Sequence, residues 1–193
     1  MESIPSNEQI RISIETAQPN DAEEIQNVFY KTWLATYPNN VPGVSVDDVH
    51  EHHKEKLSEE GIEKSRKRIE DGLSLENQRF LVAKVDGKIA GVCLATVLED
   101  KNQLNAIYVL PEFQGKGLGY KLWGEVLKFI DQTKDTVVQV VIYNTSAIEF
   151  YKRLGFEDTG KRWTDEKFKM KSGATFPEME MKIAGSNNSK SNS

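Results

Sequence analysis

The chain has 193 residues, 38% hydrophobic and 28% charged, which suits one soluble globular domain with a real core. Its formal net charge of -5 argues against a dedicated nucleic-acid binder, and no apolar run approaches the ~20 residues of a membrane span. A single cysteine, Cys93, excludes an internal disulfide and fits a reducing cytoplasm.

In chain order, residues 1–9 carry no basic segment ahead of an apolar block, so no signal peptide is expected and the stretch reads as a flexible N-terminus. One domain is expected over 10–184, with a disordered Ser/Asn/Lys tail at 185–193. Arg11 to Thr16 alternates polar and apolar residues, with Ile10, Ile12 and Ile14 on one side, which predicts a strand. Asn20 and Glu23 predict a capping box for a helix bearing Ile25, Val28, Phe29 and Trp33, and Pro38 should stop it near Tyr37. Ser45 and Asp48 predict a second box, opening a polar helix over 46–58; a third helix is expected at 62–72.

Phe80 to Val85 and Lys88 to Leu98 read as strands joined by the hairpin pair Asp86-Gly87. Leu104 to Leu110 completes the meander, and Cys93 sits inside it as a packing residue. A helix from Leu118 carries the stripe Leu118, Leu122, Val126, Leu127 and Ile130. Thr136 to Tyr143 is β-branched and reads as a buried strand, Ala147 to Leu154 as a short helix ended by Gly155, and 156–158 and 176–183 as closing strands. The meander should be antiparallel and the step from Leu104 to Tyr143 parallel. The fold class is therefore α+β, or α/β in some schemes, with a mixed, mostly antiparallel sheet flanked by helices.

Chemistry concentrates at Gln114-Gly115-Lys116-Gly117-Leu118-Gly119. Three glycines at a helix start let backbone N–H groups approach a ligand closely, and such a cradle favours the oxygens of a diphosphate. Lys116 adds a charge at its rim. The spacing matches neither the NTPase P-loop nor the dinucleotide fingerprint. Asn144 precedes the short helix and can cap it, as Thr145 or Ser146 also can. Tyr151, Phe150 and Phe156 can each be ordinary core aromatics. His50 and His53 share a helix face but lack a third ligand nearby, so no metal is predicted and that helix reads as a solvated face. The run Lys64, Arg66, Lys67 and Arg68 also reads as a solvated face.

These motifs resemble the GCN5-related N-acetyltransferases. Gln114 to Gly119 looks like their Arg/Gln-x-x-Gly-x-Gly/Ala signature, Ile107-Tyr108-Val109-Leu110-Pro111 like its lead-in, and Asn144 through Phe156 like the second cofactor motif. The likeness is close over Phe80 to Phe156 and extends to the flanks only in layout. It implies acetyl-CoA as cosubstrate, seated between two splayed parallel strands. Ile107, Tyr108 and Val109 would line the cofactor's arm, Gln114, Gly115, Lys116, Gly117, Leu118 and Gly119 its diphosphate, and Asn144 would be a further ligand. The Val109 N–H would polarise the thioester carbonyl. Tyr151 would contact the cofactor and protonate the departing thiolate. Trp33 and Tyr37 would line the acceptor side.

The implied reaction is direct transfer of an acetyl group to an amine, more readily a small polyamine-like or amino compound. A protein N-terminus or lysine is the alternative acceptor, and a non-catalytic acetyl-CoA sensor or interaction module the alternative class. An alkylammonium is neutral only about once in 2,500 molecules at pH 7, so its proton needs an acceptor. No carboxylate stands out, since Asn105 occupies mid-strand and Glu99 and Asp100 a turn. A water relay is expected, with Glu178 and Glu180 as weaker candidates. The expected setting is cytoplasmic, with no membrane or nucleic-acid partner; a homodimer is compatible with the resemblance.

Overall fold

β1 (Ile12–Thr16) leads into α1 (Ala22–Thr36), α2 (Val46–Lys54) and α3 (Glu59–Leu73). The meander β2 (Gln78–Val85), β3 (Lys88–Val97) and β4 (Asn102–Val109) follows. Then come α4 (Leu118–Phe129), β5 (Thr136–Val141), α5 (Thr145–Arg153), β6 (Glu157–Thr164) and β7 (Pro177–Ile183). This is a computed structural model, and it describes residues 10–164 and 169–187. The predicted N-terminal segment and tail residues 188–193 lie outside the described residues. Gly185 and Ser186 are described: their N–H groups donate to Asp135 Oδ1 at 2.9 Å and to the Gln132 carbonyl at 3.0 Å.

The seven strands form one sheet in the order β1-β2-β3-β4-β5-β7-β6. Every neighbouring pair is antiparallel except β4 with β5. Asp86 and Gly87 take φ of 50° and 81°, the paired positive angles that a tight hairpin turn demands. α1 and α3 cover one face through Ile25, Val28 and Ile69 against Val82, Ile89 and Val92. α4 and α5 cover the other through Leu118, Leu122, Trp123, Val126 and Tyr151. No helix among the described residues is long and apolar enough to cross a membrane.

Several expected details differ. The first helix is opened by a 3-10 turn at Pro19–Asp21, and the Gln18 N–H donates to Asp21 at 2.8 Å, so Asn20 and Glu23 form no box. Proline at the turn's first position pulls the cap upstream. Ser45 and Asp48 do form theirs, with reciprocal bonds of 3.0 Å. The polar helix stops at Lys54 because Ser58 caps α3. Leu127 is 37% exposed and Trp123 takes its place on the buried stripe. Ile10 and Ile12 are exposed, as an edge strand allows.

Asn102 holds the one parallel junction together. It is wholly buried, its amide donates to the carbonyls of Asp131 and Lys134 and to Thr136 Oγ1, and its oxygen accepts from the Asp131 N–H. Asn102→Ala would leave several buried groups unpaired, and an unfolding titration should show a loss of about 2 kcal/mol.

Candidate active site

β4 pairs with β3 along its length, but the register skips Asn105: Ala106 faces Leu94 and Leu104 faces Ala95. One extra residue makes a bulge and bends the strand. On its other edge β4 meets β5 only at Asn102–Thr136, Gln103–Val137 and Leu104–Val138. Beyond the bulge the two strands part, β4 running on to Val109 and β5 to Val141. The Leu110 N–H donates to the Ala90 carbonyl on β3 at 2.8 Å. Because N–H groups alternate along a strand, those of Ile107 and Val109 face the opening and that of Tyr108 faces β3. The Val109 carbonyl accepts from Gln114 Nε2 at 3.0 Å, which ties the glycine turn to the strand end.

Gly115 and Gly117 take φ of 72° and 81°. Such left-handed angles cost an L-residue roughly 1–2 kcal/mol. A Cβ at either position would meet nothing within 4 Å, so backbone angle rather than crowding calls for glycine, and there is room for a ligand. Gly117 caps α4 without a side chain, and the first helical bond is Lys121 N–H to the Gly117 carbonyl at 3.0 Å. The N–H groups of Leu118, Gly119 and Tyr120 therefore have no acceptor within the helix, and the helix dipole favours an anion there. A Cβ at Gly119 would lie 3.0 Å from the Phe150 ring, so this glycine permits the close approach of α5. Lys116 is exposed, with its ammonium 5.3 Å from the centre of the Phe113 ring.

Asn144 caps α5, its oxygen accepting from the Ala147 N–H at 3.1 Å. Its amide nitrogen makes no hydrogen bond among the described residues. Tyr151 is 5% exposed and packs against Phe150 and Phe156. Its hydroxyl also has no partner among the described residues. Burial, then the neighbouring Tyr108 and Cys93, push this phenol well above its ordinary value, so it stays protonated. Cys93 is wholly buried and its thiol is pushed up by desolvation, which leaves it inert.

Tyrosines converge on the α1 side of the same opening. Tyr108 packs edge-on to Phe29, and its hydroxyl lies 3.0 Å from that of Tyr37 and meets the Trp33 indole. The Tyr143 hydroxyl donates to the Tyr37 carbonyl at 3.1 Å. Tyr37 is 7% exposed and its ring centre lies 4.8 Å from that of Trp33. Trp33 and Tyr37 thus meet Tyr108, while the glycine turn and Tyr151 approach from the other helical layer. The charge of Glu178 reaches Tyr108. Glu180 instead pairs with Lys161 at 2.9 Å.

Of the α2 histidines only His50 lies on the solvated face; His52 is half-buried and His53 turns inward. His53 is 1% exposed, enclosed by Tyr30, Trp33 and His52, because the helix lies flat on α1. No group of three metal-ligating side chains occurs among the described residues. Tyr143 and the histidine contacts escaped sequence reading. The only signal was aromatic content at positions that one helical or strand period cannot assign.

A family model described as an acetyltransferase (GNAT) domain matches residues 42–183. The chain is 34% identical over 101 residues to an uncharacterized N-acetyltransferase of Methanocaldococcus jannaschii, covering 48% of this chain and 42% of that protein. It is 29% identical over 92 residues to a candidate ribosomal protein bS18 alanine N-acetyltransferase of Bacillus subtilis, covering 46% and 61%. The chain thus spans about half the length of the curated relatives it matches. The PaiA N-acetyltransferase of Thermoplasma acidophilum, solved in complex with coenzyme A, shares the fold at a TM-score of 0.65 and 23% identity, over 90% of this chain and 99% of that one.

Proposed function

Since this chain belongs to the acetyltransferase (GNAT) domain family, we propose that it transfers the acetyl group of acetyl-CoA directly to an amine, and that the acceptor is a small polyamine-like or amino compound. The observation that carries this reading is the parting of β4 from β5 beyond Leu104, between a glycine turn with no side-chain cap and the buried Tyr151. The residues present fit the cosubstrate. The N–H groups of Leu118, Gly119 and Tyr120 suit a diphosphate, those of Ile107 and Val109 an extended amide-bearing arm, and the Asn144 amide a further acceptor. Acetyl-CoA supplies an acetyl group activated as a thioester. The Val109 N–H would donate to the carbonyl oxygen as charge develops on it. The Tyr151 hydroxyl would donate to the departing sulfur. Glu178 is the carboxylate favoured to draw off the amine's proton, directly or through water. Trp33, Tyr37 and Tyr108 would wall the acceptor side, and an aromatic wall suits a small amine.

The test is coenzyme A release against polyamines, amino acids, aminoglycosides and peptide N-termini. Turnover of a small amine is the expected result. Preference for peptides would favour the second reading, which the name of the Bacillus relative supports. Tight cofactor binding without turnover on the whole panel would mark a sensor instead. Gly117→Val should weaken acetyl-CoA binding about tenfold in calorimetry, because a β-branched residue strains the left-handed angle that aims the cradle.

A further inference from the structure

Three of the cations along α2 and α3 have carboxylate partners. Lys54 pairs with Glu51 at 3.6 Å, Lys64 with Glu55 and Glu60 at 3.1 and 2.9 Å, and Arg66 with Glu63 at 3.2 Å. Lys67 and Arg68 on α3, and Lys56 in the link between the two helices, pair with no carboxylate among the described residues; of the two α3 cations, Arg68 is the one whose charge reaches Lys56. The Lys56 ammonium instead donates to His52 Nε2 at 2.6 Å and lies 5.6 Å from the Trp33 ring centre. His52 stacks on that same indole, 4.7 Å away and within 4° of parallel. Desolvation, then the Arg68 guanidinium, hold the Lys56 ammonium below its ordinary value. Desolvation and Lys56 hold His52 at about 4, so the lysine's partner is uncharged at neutral pH.

Two cations brought together without an anion repel each other, and an anion seated between them reverses the sign of that interaction. Trp33 places Lys56 next to the acceptor side: its ring lies 4.8 Å from Tyr37, whose hydroxyl is 3.0 Å from that of Tyr108. A molecule whose amine enters the opening between β4 and β5 would carry its far end past Trp33 toward Lys56. A polyamine would set a second cation against two others there.

We propose that the acetyl acceptor is an amino compound bearing a carboxylate or phosphate, held by Lys56 and Arg68 beside the Trp33–His52 stack. This rests on the acyl-transfer reading above and narrows it. It makes the recognition charge-assisted, and for the guanidinium bidentate.

The test uses the full chain and four amines of matched length: an ω-amino carboxylate, an aminoalkyl phosphate, the amino alcohol and the diamine. At least one anionic amine should exceed the amino alcohol by about tenfold or more in kcat/KM, and the two anionic arms tell which group is read. A double variant, Lys56→Gln with Arg68→Gln, should lose that preference, mainly through KM. Its acetyl-CoA affinity should stay within about twofold of wild type, since these cations lie apart from the glycine cradle. Independently of turnover, inorganic phosphate or acetate should shift the His52 ring resonances in the unsubstituted protein and leave them unmoved in the double variant. The proposal is overturned if the amino alcohol or the diamine is used as well as the anionic amines, or if neither ion moves His52. It is also overturned if the double variant loses acetyl-CoA affinity, which would assign the cations to the cofactor's phosphates. Failure of all four amines alongside turnover of a peptide overturns the proposal; failure of these and of the wider panel defeats the acyl-transfer reading itself, while a His52 response to phosphate would still uphold the anion site.

Discussion

Tyr151→Phe should lower turnover by about tenfold or more while leaving acetyl-CoA affinity nearly unchanged, since a positioned acid acts on the departing group and not on the bound one. The substitution is clean. The ring lies 5.6 and 5.5 Å from the centres of Phe150 and Phe156, contacts that phenylalanine keeps. The hydroxyl has no partner among the described residues, so its removal orphans nothing. In water a phenol and a thiol differ by about 1.5 units, roughly 2 kcal/mol against proton transfer. Burial pushes the Tyr151 phenol up, but it also pushes up the thiol of Cys93, a neighbour in the same core. Desolvation penalises both anions, so the difference between them changes less than either value. A hydrogen bond to the sulfur therefore stays useful at any degree of closure. Steady-state kinetics beside calorimetry decides it. Unchanged turnover would reduce Tyr151 to a packing residue and leave protonation of the departing sulfur to another donor.

The glycine turn and the α5 cap were legible because they depend on backbone. Gly115, Gly117 and Asn144 announce a positive φ or a cap, and those demands are local. The Asp86-Gly87 hairpin and the Ser45–Asp48 box were readable for the same reason. The tyrosine cluster was not legible, although Trp33 and Tyr37 within it were singled out. Tyr37, Tyr108 and Tyr143 lie far apart in the chain and meet only because β4 leaves β5 beyond the Asn105 bulge. No period within one element encodes that meeting. The α2 helix misled in a related way. Its sequence, with Asp47, Asp48, Glu51 and three histidines, offers only Val46 and Val49 as apolar residues, yet Asp48 and His53 are both buried beside Val49. Asp48 is accounted for by Ser45 and by Ser172, which donates from the far end of the chain at 2.8 Å. Such a long-range partner is invisible to a local reading.

His53 carries the second large effect. It is 1% exposed, and neither ring nitrogen finds a hydrogen-bond partner among the described residues. Desolvation, then the charges of Lys56 and His52, hold it at about 3 against an ordinary 6.5. The folded value is depressed, so the unfolded chain takes up a proton that the folded chain refuses. Stability is full above the unfolded value and falls as pH drops toward the folded one, by about 1.4 kcal/mol per pH unit. From pH 6.5 to 5 the loss from this residue should reach about 2 kcal/mol, and by pH 3 about 4 kcal/mol. His52, held at about 4, adds its own share in the upper part of that window, whereas Asp48, held at about 2 by hydrogen bonds that outweigh its burial, adds only below its ordinary 3.8. His53→Phe keeps a flat ring against Tyr30 and Trp33 and removes two buried polar atoms. It should be neutral or stabilising at pH 7, because replacing unsatisfied groups by an apolar one of similar shape costs little. Denaturant midpoints at pH 7, 6 and 5 should then fall less steeply than in the unsubstituted protein. An equally steep fall would locate the acid sensitivity elsewhere. The same result would mean that the imidazole is hydrated or paired in solution, since only a dry, unpartnered ring resists protonation so strongly.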